Sequence, residues 1–172
     1  KLVFAVVFVF AMMNNAVAQQ VRKHIQDGNE AYESGNYTDA EVAYRKSLEE
    51  EKELFEGRFN LGDALYKQEK YEEAAGIFQS LAKEADKKEL KSQVYHNLGN
   101  SLLKSEKFEE SVNAYKNALK NNPDDAETKY NLSYAMQRLK QQQKQQNKNQ
   151  DQDQEEPSEY AKQLKKKCEE LV

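Results

Sequence analysis

Apolar residues return at helical spacing from Val21 to Leu139, and turn residues punctuate the run at short intervals. One frame recurs along it. Gly28, Gly62, Gly99 and Ser133 fall 34, 37 and 34 residues apart. After each glycine come an aromatic residue (Tyr37, Tyr71, Phe108), a small one (Ala40, Ala74, Ser111) and a second aromatic (Tyr44, Phe78, Tyr115). A unit of about 34 residues in this order predicts a helix–turn–helix repeat. The repeats span about 21–54, 55–88 and 92–125, with a capping helix over 126–139.

The breaks have their own chemistry. Ser34-Gly35-Asn36 predicts a tight turn, because glycine accepts a left-handed conformation. Glu69-Lys70 and Glu106-Lys107 hold the equivalent places without glycine, which predicts strain or a different winding there. Pro123 closes the third unit, since proline cannot continue a helix. The three additional residues between the second and third glycines fall within Lys83 to Lys91 and predict a longer second helix or a loop.

The small residues predict close packing. Gly28, Gly62 and Gly99 let the first helix of a pair approach the second, and Ala40, Ala74 and Ser111 do so from the other side. One such pair cannot bury its apolar face alone, so neighbouring pairs must stack. The expected fold class is all-α: a solenoid of helical hairpins, three repeats plus a C-terminal capping helix.

The ends differ from the middle. Lys1, the apolar run Leu2 to Met13 and the small residues Ala16-Val17-Ala18 predict a secretory signal peptide over 1–18. Localisation in the periplasm or cell envelope follows. An uncleaved membrane anchor is the alternative, although the run is shorter than the roughly 20 residues of a membrane span. Residues 140–157 are nearly all Gln, Lys, Asn, Asp and Glu, which predicts a disordered linker or a frayed helical extension. Ser158 then predicts the start of a short amphipathic helix over 158–172, with Tyr160, Leu164, Cys168 and Leu171 on one face.

Composition narrows the function. The formal charge is −4 with a third of residues charged, and no basic stripe of the kind nucleic acid requires is present. His24 and His96 stand alone, without cysteines at metal-ligand spacing, and Cys168 has no neighbouring base. The expectation is a non-enzymatic chain with no cofactor, no metal and no small-molecule substrate.

The frame, most fully Tyr95-His96-Asn97-Leu98-Gly99-Asn100 through Pro123, resembles the tetratricopeptide repeat (TPR) proteins over residues 21 to 140. The resemblance implies a TPR helical-hairpin solenoid that binds a protein or peptide partner in a groove lined by the first helices. It places Asn29, Tyr32, Phe59, Asp63, Tyr66, His96, Asn100, Lys104, Tyr130 and Tyr134 in that groove. Lys104 would favour an acidic group on the partner. Asn100 and Lys104 lie outside the small-residue packing set, so changing them is expected to weaken binding without unfolding. Asn60, Asn97 and Asn131 recur at one frame position and read as structural. Some family members grip a C-terminal carboxylate with lysines and an arginine. The matching positions here are Ile25, Asn29, Asn60, Gln93 and Asn97, which disfavours that mode. The layout of the entire chain, with Tyr130-Asn131-Leu132-Ser133-Tyr134-Ala135 and the Gln/Lys/Asp tract, resembles the BatC-type TPR proteins of Bacteroides-group bacteria. That implies an envelope aerotolerance complex with von Willebrand A-domain membrane proteins. A membrane-anchored adaptor or an assistant in peptidoglycan or outer-membrane assembly is the alternative.

Overall fold

The computed structural model describes the backbone of residues 2–170, with the side chains of 16–149, 163, 164, 166, 167 and 170. Seven helices run in order among them: α1 (Leu2–Glu33), α2 (Tyr37–Glu50), α3 (Phe55–Lys67), α4 (Tyr71–Glu84), α5 (Lys88–Lys104), α6 (Phe108–Asn121) and α7 (Ala126–Glu169). Each packs on the next, and the odd-numbered helices also touch one another in sequence, α1 to α3, α3 to α5 and α5 to α7. The even-numbered ones stand farther apart, and α2 meets α4 through the Arg45–Glu73 ion pair at 3.8 Å. The solenoid therefore curls with the first helix of every hairpin on its inner face.

The hairpin turns share one winding. Gly35, Glu69 and Glu106 all take positive φ, at 76°, 64° and 59°. In each turn the following amide reaches back five residues, Asn36 to the Ala31 carbonyl (2.9 Å), Lys70 to Leu65 (3.0 Å) and Lys107 to Leu102 (2.9 Å). This bond closes the helix end by capturing an otherwise unpaired carbonyl. Two glutamates thus occupy the left-handed region that glycine holds in the first unit. The strain expected there is real; a different winding is not.

Ring and glycine meet at the centre of each hairpin. A Cβ at Gly28, Gly62 or Gly99 would stand 2.5 Å from Tyr44, 2.7 Å from Phe78 or 2.5 Å from Tyr115. Ala40, Ala74 and Ser111 are fully buried beside them, and the Ser111 hydroxyl donates to the Gly99 carbonyl at 2.8 Å. Leu61, Leu65, Leu81, Val94 and Leu98 join the hairpins in the main core, and Val112, Tyr115 and Ala135 form a second cluster beneath α7. Ser133 continues the frame but stays exposed.

Charge joins the first two units at their turn. The Glu41 carboxylate, on α2, accepts from Arg45 (2.8 Å), Gln68 (2.9 Å) and Lys70 (2.8 Å). Burial alone would raise this carboxyl, but the three donors outweigh it and hold it at about 2.

One expectation changes and one is narrowed. The additional residues between the second and third glycines lengthen the start of α5 rather than the second helix or a loop, since α4 ends at Glu84 and α5 begins at Lys88. Residues 140–157, expected as a disordered linker or a frayed helical extension before a helix at 158–172, continue the capping segment as one helix, Ala126–Glu169. Gln, Lys and Glu are good helix formers, and extending an existing helix avoids the cost of nucleating a new one. Residues 143–149 are exposed, so local hydrogen bonds hold that stretch rather than packing. The apolar side chains of the expected signal peptide before Ala16, and Tyr160, Cys168 and Leu171, lie outside the described residues.

Candidate functional site

The inner face is built from residues one position past each glycine. Asn29 Oδ1 accepts from the Tyr44 hydroxyl (2.8 Å) and from Asn60 Nδ2 of the next unit (3.1 Å). Asn100 Oδ1 repeats the pattern with Tyr115 (2.6 Å) and Asn131 (3.1 Å). Asp63, at the same place in the middle unit, accepts from Asn97 Nδ2 at 2.8 Å. Its second donor is missing, because Phe78 stands where the other units have tyrosine. The recurring Asn60, Asn97 and Asn131 are thus inter-unit ties, as their frame position predicts.

Asn100 has a larger structural share than expected. Replacing it would leave the Tyr115 hydroxyl and the Asn131 amide without their acceptor, a loss of about 1–3 kcal/mol. A binding defect in an Asn100 variant would therefore include a stability defect.

Three cavities follow one another along this face. The first, about 120 Å³, lies between Asn29, Tyr32, Glu33 and Asp63. The second, about 260 Å³, lies between Asp63, Tyr66, Lys67, Phe78, His96 and Glu127. The third, about 360 Å³, is bounded by Phe59, Gln93, His96 and Asp125. Tyr32 and Asp63 are shared by the first two, and His96 and Glu127 by the last two, so they form one trough.

The walls are aromatic and polar. Tyr32 packs edge-on to Tyr37 at 5.2 Å, and Tyr66 to Tyr71 at 5.3 Å, so both tyrosines pack within their hairpin and still face the trough. Burial, then the neighbouring Asp63 and Tyr37, pushes the Tyr32 hydroxyl up to about 12; burial likewise raises Tyr66. Both stay neutral near physiological pH. Burial pushes the Asp63 carboxyl up to about 7, against a smaller opposing pull from Lys67. His96 Nδ1 lies 2.6 Å from the Thr128 hydroxyl, and its Nε2 lies 3.5 Å from Glu127. Asp125 caps α7 by accepting from the Thr128 amide at 3.0 Å. Burial opposes its ionisation, but the bonds from Thr128 hold its carboxyl below the ordinary range. Among the described residues, no three His, Cys, Asp or Glu side chains converge as metal ligands would.

Of the ten residues placed in the groove by sequence, Asn29, Tyr32, Phe59, Asp63, Tyr66, His96 and Asn100 line the trough. Lys104, Tyr130 and Tyr134 do not. Lys104 ends α5 on the exposed surface. Tyr130 is 73% exposed, and the Tyr134 hydroxyl accepts from Arg138, whose guanidinium lies 5.0 Å from the Phe108 ring centre. Glu33, Lys67, Gln93, Asp125 and Glu127 were missed. The first two lie four residues after Asn29 and Asp63 on a helix, a spacing that already puts them on the same face.

Family comparisons find a tetratricopeptide repeat model over residues 26–89 and a TPR repeat model over residues 99–140. No curated protein matches. Several solved structures do. The first TPR domain of human RPAP3 superposes with a TM-score of 0.65 at 20% identity, covering 73% of this chain and 96% of that one. The second TPR domain of human RPAP3, in complex with the HSP70 peptide SGPTIEEVD, gives 0.61 at 19% identity over 70% and 98%. The first TPR of Spaghetti (RPAP3), bound to the HSP90 peptide SRMEEVD, gives 0.63 at 20% identity over 70% and 94%.

Proposed function

Because this chain is a tetratricopeptide-repeat protein, we propose that it is an exported interaction scaffold that seats an extended peptide segment of a protein partner along its inner trough. One observation carries the proposal: three cavities join on the inner face, and their walls alternate aromatic rings with amide and carboxylate groups. Rings supply contact area at low entropic cost, and the polar groups can bond an extended backbone. Similar folds occur with peptides bound, which supports the general mode. The ligand differs in kind. Both of those peptides end in Glu, Glu, Val and Asp, whereas the matching positions here, Ile25, Asn29, Asn60, Gln93 and Asn97, carry no cation.

Export rests on the pattern of residues 1–18, and an envelope aerotolerance complex with von Willebrand A-domain proteins rests on the BatC-type layout. Mature protein recovered from the envelope should begin at or near Gln19; an intact Leu2 to Met13 segment would favour the anchored adaptor.

The trough itself is tested by filling it. Lys67 and Gln93 line it from exposed positions, so Lys67→Trp with Gln93→Trp should obstruct the cavities and leave the fold intact. Capture of envelope proteins on the immobilised chain should fall about tenfold or more, while Lys116→Trp on α6 has no effect. Undiminished capture by the obstructed chain, with loss on deleting residues 140–172, would make the tail the binding element.

A further inference from the structure

We propose that the middle cavity of the trough is a pocket for a basic side chain of the bound peptide, a lysine or arginine whose cationic head pairs with Asp63. This rests on the reading of the trough as a peptide site and names the chemistry of its occupant.

The middle unit lacks a bond that its neighbours have. In the first and third units the inner-face residue is a neutral asparagine whose oxygen receives two donors, a tyrosine hydroxyl and an asparagine amide. In the second unit both features change together. The residue is Asp63, and the ring packed against its glycine is Phe78. Asn97 reaches Oδ1, and no donor among the described residues reaches Oδ2. An acceptor has gained charge exactly where a donor was removed, so the carboxylate faces the cavity with bonding capacity left over.

The surroundings select the ligand. A half-buried carboxylate with a free oxygen is costly unless a cation or hydrogen-bond donor meets it. Glu33 and Glu127 lie along the same trough, against one cation, Lys67, whose ammonium makes no ion pair within 4 Å of Asp63 among the described residues. The local field is therefore negative. Phe78, Tyr66 and Tyr32 wall the cavity, and such rings accept both the alkyl stem and the cationic head of a long basic side chain. An acidic peptide would meet repulsion at this place. Burial pushes the empty Asp63 site towards protonation, and Glu33, Lys67, His96 and Glu127 are the other ionisable groups facing it beside the tyrosines. An incoming cation would hold it ionised.

Selection of random heptapeptides displayed on phage, against the immobilised full chain, tests the pocket. Wild type should enrich one lysine or arginine at a fixed place in the selected peptides. Asp63→Asn, which restores the residue type of the flanking units, should lose that enrichment. Phe78→Tyr should weaken it, by returning the missing hydroxyl to Asp63. For a selected peptide measured by fluorescence anisotropy, replacing its basic residue with norleucine should cost about tenfold or more in wild type and almost nothing in Asp63→Asn. Peptides that bind the trough without a basic preference, or with one unchanged in Asp63→Asn, would overturn the pocket and leave the peptide site standing. Failure to enrich any peptide, or enrichment that Lys67→Trp with Gln93→Trp does not abolish, would overturn both.

Discussion

Single residues carry both the regularity of this fold and its exceptions. Glycine in the first turn and glutamate in the next two adopt the same left-handed backbone, so Glu69 and Glu106 are held there by the hairpins around them. A side chain in that region costs about 1–2 kcal/mol. Glu69→Gly and Glu106→Gly are each expected to raise stability by about 1 kcal/mol, read as a higher midpoint in urea, whereas Gly35→Ala should lower it. Asp63 is the second exception, and its sign can be worked out. Its carboxyl is raised from 3.8 to about 7 by burial. Between those values the folded chain keeps a proton that the unfolded chain releases, so this residue lowers stability as pH rises through that window. Asp63→Asn removes the effect. Its gain in melting temperature over wild type should be small at pH 4, grow up to about pH 7 and then level off. The frame makes the special residue legible, since Phe78 aligns with Tyr44 and Tyr115. The consequence for Asp63 is not legible there, because it depends on which atoms meet across the hairpin.

Helix pairs show where sequence spacing suffices and where it does not. The glycine-to-ring contact follows from the repeat alone, because only a residue without Cβ leaves room for the ring. Gly99→Ala, which would set a methyl 2.5 Å from Tyr115, is expected to destabilise by about 1–3 kcal/mol in thermal melts. The longer start of α5 was not legible, since a charged stretch such as Lys83 to Lys91 suits a loop and a helix equally well. Nor was the junction at Glu41, whose donors come from its own helix and from the turn after α3. Glu41→Ala should cost about 1–3 kcal/mol near neutral pH, discounted for the partial exposure of Lys70 and Arg45. With the folded carboxyl at about 2 against an ordinary 4.5, that stability is present above the ordinary value and lost as pH falls towards the folded one. The gap between variant and wild type should close over that interval.

At the scale of the molecule, stacked hairpins give a rigid array with an inner face, and a helical tail that gains nothing from packing along its exposed stretch. Limited proteolysis should therefore cut first between Lys140 and Glu156, before any site between Leu98 and Leu119. Fold class and repeat number were legible because each unit repeats the same packing problem. Seven of the ten residues placed in the groove meet along the trough because the frame sets them on one face, whereas Lys104, at the exposed end of α5, and Tyr130 and Tyr134, on α7, lie outside its cavities. Whether a partner lies in the trough can be read directly. Site-specific photocrosslinking in intact cells, with benzoylphenylalanine placed at Tyr66, Gln93, Val42 or Lys116, does so. Crosslinked partner is expected from Tyr66 and Gln93 on the inner face and absent from Val42 on α2 and Lys116 on α6. Crosslinks from Val42 and Lys116, with none from the trough positions, would contradict it.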